Sequence, residues 1–97
     1  MNALNFDAEK LIDICRDNDV SMLGVFGSVA RGESTEQSDI DLLVKFSERK
    51  GLLALVRLER ILSETLGRKV DLLTEAAISS YIRDNILKDL QVLYDSR

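Results

Sequence analysis

One stretch constrains this chain more than any other: Asp39-Ile40-Asp41-Leu42-Leu43-Val44-Lys45-Phe46. Its branched, nearly continuous apolar residues have the pattern of a buried strand. Residues two apart along a strand project to the same side. Asp39 and Asp41 therefore leave the sheet together, while Ile40 and Leu42 turn the other way into apolar packing. Half-burying two carboxylates side by side is costly unless a cation or another partner meets them. The fold must supply a sheet around this strand and a reason for the two charges.

The rest of the chain supplies the sheet. Residues 7–18 read as a helix with Asp7 as N-cap and Leu11, Ile12, Ile14 and Cys15 on its apolar side. Asp17-Asn18-Asp19 reads as a solvated turn. Val20 to Phe26 is a short buried strand that Gly27-Ser28 ends, and Ser28 opens a short helical turn through Arg31. Gly32 to Ser38 is a polar loop. The strongest helix runs from Gly51 to Leu66, with Leu52, Leu55, Leu58, Leu62 and Leu66 on one stripe and Gly67 as its stop. A third strand follows over Lys69 to Thr74, then a helix over residues 76–88 with Ile78, Ile82 and Ile86 four apart. A last short strand covers Leu90 to Tyr94. The order α-β-α-β-α-β-α-β fits α/β or, preferably, α+β: a small mixed sheet with helices packed on one face.

Composition narrows the chemistry. At 97 residues without linker, repeat or proline, the chain fits one domain over residues 1–97. It has no histidine and a single cysteine, which excludes histidine-based triads, histidine metal sites and an internal disulfide. A bound metal would have to be held by oxygen, which points to magnesium, manganese or calcium. The lone Cys15 and the lack of a basic-then-apolar leader make a cytoplasmic setting the expectation. No apolar run approaches the roughly 18–20 residues of a membrane span. A net charge of −4 argues against direct nucleic-acid binding through a broad basic surface.

Asp-x-Asp alone is a weak signal in a chain with ten aspartates, and Asp17-Asn18-Asp19 repeats it without the apolar setting. The context of Asp39 and Asp41 is what counts. Two carboxylates on one face can share hard divalent cations about 3.5–4 Å apart, which clamp the attacking and leaving oxygens of an in-line phosphoryl displacement. Gly27-Ser28 at a strand end suits an anion: glycine lets phosphate approach the backbone, and free N–H groups plus the Ser28 hydroxyl can donate to it. Val70-Asp71-Leu72-Leu73 sets one more carboxylate in an apolar run. If its strand lies beside the one bearing Asp41, Asp71 reaches the same site; otherwise it is a solvated strand-edge charge.

Taken together, Gly27-Ser28-x-Ala30-Arg31-Gly32-Glu33, the short loop, Ser38-Asp39-Ile40-Asp41-Leu42-Leu43-Val44 and the later Val70-Asp71-Leu72 resemble the DNA polymerase β-like nucleotidyltransferase superfamily. Length and motif wording resemble its minimal nucleotidyltransferase (MNT) group, with the likeness running from about Val20 to Tyr94. The resemblance implies the polymerase β-like fold, with Asp39 and Asp41 ligating two magnesium (or manganese) ions. Asp71 would complete the metal site and help activate an acceptor hydroxyl, and Gly27 and Ser28 would contact the triphosphate. Larger members of the superfamily carry an extra helical domain for the acceptor, for which this chain has no room. Stand-alone MNT proteins commonly act as antitoxins paired with HEPN-domain ribonuclease toxins. The resemblance therefore implies ATP as donor and a tyrosine of such a toxin as acceptor.

Other residues carry less. Arg31 fits a phosphate contact or an ion pair with an acid such as Glu33. Arg83 fits a solvated helix charge better than a phosphate ligand. Cys15 reads as a small core residue, and Tyr81, Tyr94 and Phe26 as packing residues. Arg49-Lys50 and Arg68-Lys69 read as solvated loop charges. Two further functional readings compete with protein modification: a binding module that covers a toxin without turnover, and transfer to a small molecule. Crowding three carboxylates favours an enzyme, because binding alone gives no reason for it.

Overall fold

The computed structural model describes residues 8–33 and 39–96; the expected N-cap Asp7 and residues 34–38 of the polar loop lie outside them. In chain order the elements are α1 (Ala8–Asp17), β1 (Val20–Phe26), α2 (Gly27–Ala30), β2 (Ile40–Phe46), α3 (Leu52–Leu66), β3 (Val70–Thr74), α4 (Ser80–Asp89) and β4 (Gln91–Asp95). The order is the one expected. The last helix starts later than expected, because Glu75–Ala77 forms a separate 3-10 turn.

The four strands form one mixed sheet in the order β3-β2-β1-β4. β1 runs antiparallel to both β2 and β4, whereas β2 and β3 are parallel. A parallel pair needs a crossover, and α3 supplies it. Its Leu58 and Leu62 are buried, and Gly67 ends it in the left-handed region (φ 68°), where its N–H reaches the Ser63 carbonyl at 2.9 Å. The apolar stripe is shorter than expected: Leu55 and Leu66 pack on the core, but Leu52 is 72% exposed.

Alternation along the strands sorts residues between two faces. Ile40, Leu42 and Val44 of β2 join Val25 of β1 and Val70 and Leu72 of β3 against α1 and α3, with Leu11 and Cys15 inside the same core. Burial pushes the Cys15 thiol up to about 11, so it stays protonated and inert there. Of the helices expected on one face, α1 and α3 lie there, but α4 does not. The opposite face carries a smaller cluster of Phe26, Leu43 and Ile86, through which α4 covers part of it. Gly24 makes that cover possible: a Cβ there would lie 2.6 Å from Leu90 Cδ1 and 3.2 Å from the Gln91 carbonyl oxygen.

The turn expected over Asp17–Asp19 is confined to Asn18 and Asp19, since Asp17 ends α1, and it has a structural task. Asp19 takes a positive φ of 58°, a conformation aspartate tolerates better than most residues. Its carbonyl accepts from the Ser47 N–H (2.8 Å) and Oγ (3.0 Å), and its carboxylate holds Lys50 at 2.7 Å. Lys50 is thus paired, with Glu48 as well, rather than a free loop charge. Tyr81 departs from expectation too: it is 90% exposed, because α4 buries Ile86 and turns its first turn outward. Leu62→Ala should cost about 2–5 kcal/mol of stability, the range for a large buried truncation. Equilibrium urea unfolding measures it, and a cost near zero would mean that α3 is not anchored through this residue.

Candidate active site

The site is one row across three strands. In the sheet register Phe26 of β1 faces Asp41 of β2, and Asp41 faces Asp71 of β3. Directly paired residues project to the same side, so Asp41 and Asp71 stand next to each other on the face opposite the main core. Asp39 lies two residues before Asp41, and Ile40 between them is fully buried with its N–H bonded to the Lys69 carbonyl at 2.9 Å. Val70 and Leu72, on either side of Asp71, are buried as well. The apolar neighbours thus dictate where the three carboxylates can point.

Gly27 closes the row. The chain leaves β1 there and enters α2 with a φ of +74°. A Cβ at Gly27 would lie 2.5 Å from Asp41 Oδ2, so the turn backbone runs against the carboxylate. Glycine is required twice, for its dihedral and for this approach. Ser28 follows immediately, partly exposed, in the first turn of α2. An anion cradled by this turn would lie beside the acids.

Arg31 ends the α2 turn and is already engaged. It donates through its Nη1 to Asp89 at 2.8 Å and through its Nε to Glu33 at 3.3 Å, tying α2 to the end of α4. The expected ion pair with Glu33 is thus present, and the Arg31 charge also acts on Asp41. Arg83 pairs with Glu75, which also holds Lys45 at 3.1 Å, so its charge is satisfied away from the acids. Lys69 stands 3.9 Å from Asp39, an exposed pair of little energetic weight.

The electrostatics single out Asp41. Burial raises its carboxyl above the ordinary carboxylate range, the charges of Asp71 and then Asp39 raise it further, and Arg31 opposes them. Among the described residues, no hydrogen bond or ion pair relieves it. The all-oxygen donor set, with its unrelieved charge, suits a hard divalent cation. The side chains stand around such a site rather than closed upon it, for no three acids among the described residues are near enough to enclose an ion.

Glu59 and Ser63 of α3 escape a reading of the sequence. Ser63 Oγ accepts from the Val70 N–H at 3.1 Å and Glu59 Oε2 from the Leu72 N–H at 2.9 Å. The signal available in the sequence is two polar residues four apart beside the leucine stripe, which is common on any amphipathic helix.

Asp41 also links the site to stability. The folded chain holds this proton more tightly than the unfolded chain, so stability declines as pH rises from the ordinary carboxylate value through the raised one. Asp41→Asn removes that penalty. Without divalent metal, the variant should melt above wild type at pH 7, and the gap should narrow as the pH is brought below the carboxylate range. Thermal melts in chelator measure this, and a variant that melts lower at pH 7 would remove the argument for an unrelieved charge.

Comparisons with known proteins identify the family. The family model described as a nucleotidyltransferase domain matches residues 8–93. A provisionally named protein adenylyltransferase of Methanocaldococcus jannaschii is 45% identical over 86 residues, 89% of this chain and 92% of that protein. A solved structure, provisionally named a minimal nucleotidyltransferase, superposes with a TM-score of 0.76 at 38% identity, covering 87% of this chain and 86% of that one. A crystal structure of a toxin–antitoxin with AMP-PNP gives a TM-score of 0.79 at 26% identity, covering 97% of this chain and 76% of that one. With a polymerase β-like fold and a match spanning nearly the whole sequence, the chain belongs to the nucleotidyltransferase family, within its minimal nucleotidyltransferase group.

Proposed function

We propose that this nucleotidyltransferase moves AMP from ATP to a hydroxyl, that of a tyrosine, on a partner HEPN ribonuclease toxin, and thereby acts as its antitoxin. The observation that carries the reading is the Gly27 turn lying against Asp41 in the row that pairs Asp41 with Asp71. That row sets an anion cradle beside a cluster of carboxylates, which is the arrangement phosphoryl transfer uses. The M. jannaschii relative is named for protein adenylylation, and the structural neighbour is a toxin–antitoxin holding an ATP analogue.

In this reading the backbone of Gly27 and the N–H groups and hydroxyl of Ser28 hold the triphosphate, and Arg31 adds positive potential. Asp39, Asp41 and Asp71 would hold two magnesium ions, with manganese as a substitute. Bound there, the ions would neutralise the triphosphate and the charge that develops during displacement. Asp71 orients the acceptor hydroxyl and takes its proton. The acceptor oxygen bonds to the α-phosphorus, the bond from that phosphorus to the bridging oxygen breaks, and pyrophosphate leaves.

Exposed apolar side chains support a protein partner. Leu53 at the start of α3 is 83% exposed and Leu52 and Val56 lie nearby in sequence; Tyr81, Leu87 and Val92 are exposed elsewhere. The net charge of −4 fits a protein acceptor better than nucleic acid. No helix among the described residues is long and apolar enough to cross a membrane, and the setting we propose is cytoplasmic.

The competing reading is neutralisation by contact alone, which the exposed apolar side chains fit equally well. Asp71→Asn separates the two, because asparagine keeps the size and loses the base. The variant should bind ATP and the toxin yet transfer AMP at least about a hundredfold more slowly, the lower range for a lost general base. In cells it should fail to neutralise the toxin. Intact-mass spectrometry of the co-purified toxin reads the outcome. Full neutralisation with an unmodified toxin would leave the contact reading standing.

A further inference from the structure

Among the described residues β3 is an edge strand: β2 covers one side, and no strand covers the other. In a parallel ladder, alternate residues turn their peptide groups toward the neighbour. The Ile40 N–H to Lys69 carbonyl bond and the Asp41–Asp71 register turn the peptide groups of Asp71 toward β2. The N–H groups of Val70 and Leu72 point outward, where an edge strand ordinarily meets water or another chain. Here they meet α3. Ser63 Oγ accepts from Val70 and Glu59 Oε2 from Leu72, both in partly buried surroundings. The two acceptors are four residues apart on one side of α3, which the buried Leu58 and Leu62 fix against the sheet. Asp71 is thus flanked by two peptide groups held from outside the sheet and is itself held from inside.

We propose that Glu59 and Ser63 are positioning residues for Asp71. They form a side-chain clamp that fixes the edge strand at the register placing Asp71 beside Asp41. The inference rests on the transferase reading for its effect on rate, but not for the clamp itself. Without the clamp, the outward peptide groups exchange with water and the strand frays from its free side, and the carboxylate opposite Asp41 loses its fixed position. Glu59 needs to accept a hydrogen bond and does not need its charge, so the conservative amide should serve.

The test compares Glu59→Ala, Glu59→Gln and Asp71→Asn with the Glu59→Ala/Asp71→Asn double variant in the full chain. Native-state amide exchange at Leu72 is the readout independent of activity. It should quicken by about tenfold or more in Glu59→Ala, the factor that the loss of one net hydrogen bond supports, and stay near wild type in Glu59→Gln. With ATP, magnesium and the co-expressed toxin, Glu59→Ala should lower kcat by about tenfold at an ATP KM within about twofold of wild type. Glu59→Gln should restore most of the rate. In the Asp71→Asn background, Glu59→Ala should cost nothing more, because a residue that acts through Asp71 has nothing left to position. An equal loss in both backgrounds would overturn the proposal, as would a Glu59→Gln variant as slow as Glu59→Ala, or unchanged Leu72 exchange in Glu59→Ala. A wild-type chain that transfers nothing would sink the transferase reading instead, while the Leu72 exchange would still decide whether the clamp exists.

Discussion

The parallel pairing of β2 with β3 is the contact on which the site depends. It sets Asp41 opposite Asp71, one residue to one, and leaves neither carboxylate freedom to move away along its strand. A slip of one residue would carry Asp71 to the other face and bring Val70 or Leu72 to the site. What prevents the slip is burial: Val70 and Leu72 belong to the core shared by α1 and α3, and Ile40 and Leu42 are fully buried with them. The hydrophobic effect, which has no direction of its own, thus acts through strand alternation as a device for aiming charges.

That aiming opposes the stability of the fold. Asp41 is partly desolvated and faces two like charges, with Arg31 as the opposing influence. Arg31 is itself divided between Asp89 and Glu33, so it cannot neutralise the row. The Gly27 backbone lies against Asp41, where a Cβ would meet its Oδ2 at 2.5 Å. The unrelieved charge of Asp41 costs the fold stability, and in the proposed transferase a polyphosphate with its counter-ions would relieve it.

Much of this was legible in the sequence because two signals are local. Alternation in Asp39–Phe46 fixed which way Asp39 and Asp41 point, and the glycine at the β1 end marked the tight turn. The position of Asp71 was legible only on the condition that its strand lies next to β2, since a single sequence carries no record of strand order. What stayed hidden depends on partners distant in the chain. Arg31 and Asp89 meet across 58 residues, and Lys50 and Asp19 across 31. Leu52 continues a helical stripe but lies beyond the core that the stripe faces, and Tyr81 has the composition of a packing residue without a surface to pack on. Periodicity reports which residues share a face and is silent on how far the opposing surface extends.

The balance between these forces also separates catalysis from contact. A chain that neutralised its partner by covering it would draw on exposed apolar side chains such as Leu53, and nothing in that task calls for a half-buried Asp41 beside Asp71. An ordinary surface carboxylate such as Glu64 of α3 is largely exposed and pairs with a basic neighbour, here Arg60 at 3.6 Å. The acids of the site are instead held close by a buried register, against a backbone that glycine alone lets approach. Like-charge crowding of this kind is a source of strain, and in the proposed transferase it would become a source of affinity for a cation and a polyphosphate. The edge of the sheet follows the same logic. β3 carries Asp71 at the margin of the fold, where strands fray most readily, and α3 supplies hydrogen-bond acceptors on both sides of that residue. Stability is thus given up at Asp41 and reinforced at the peptide groups around Asp71, which is the distribution expected when the position of a charge matters more than its comfort.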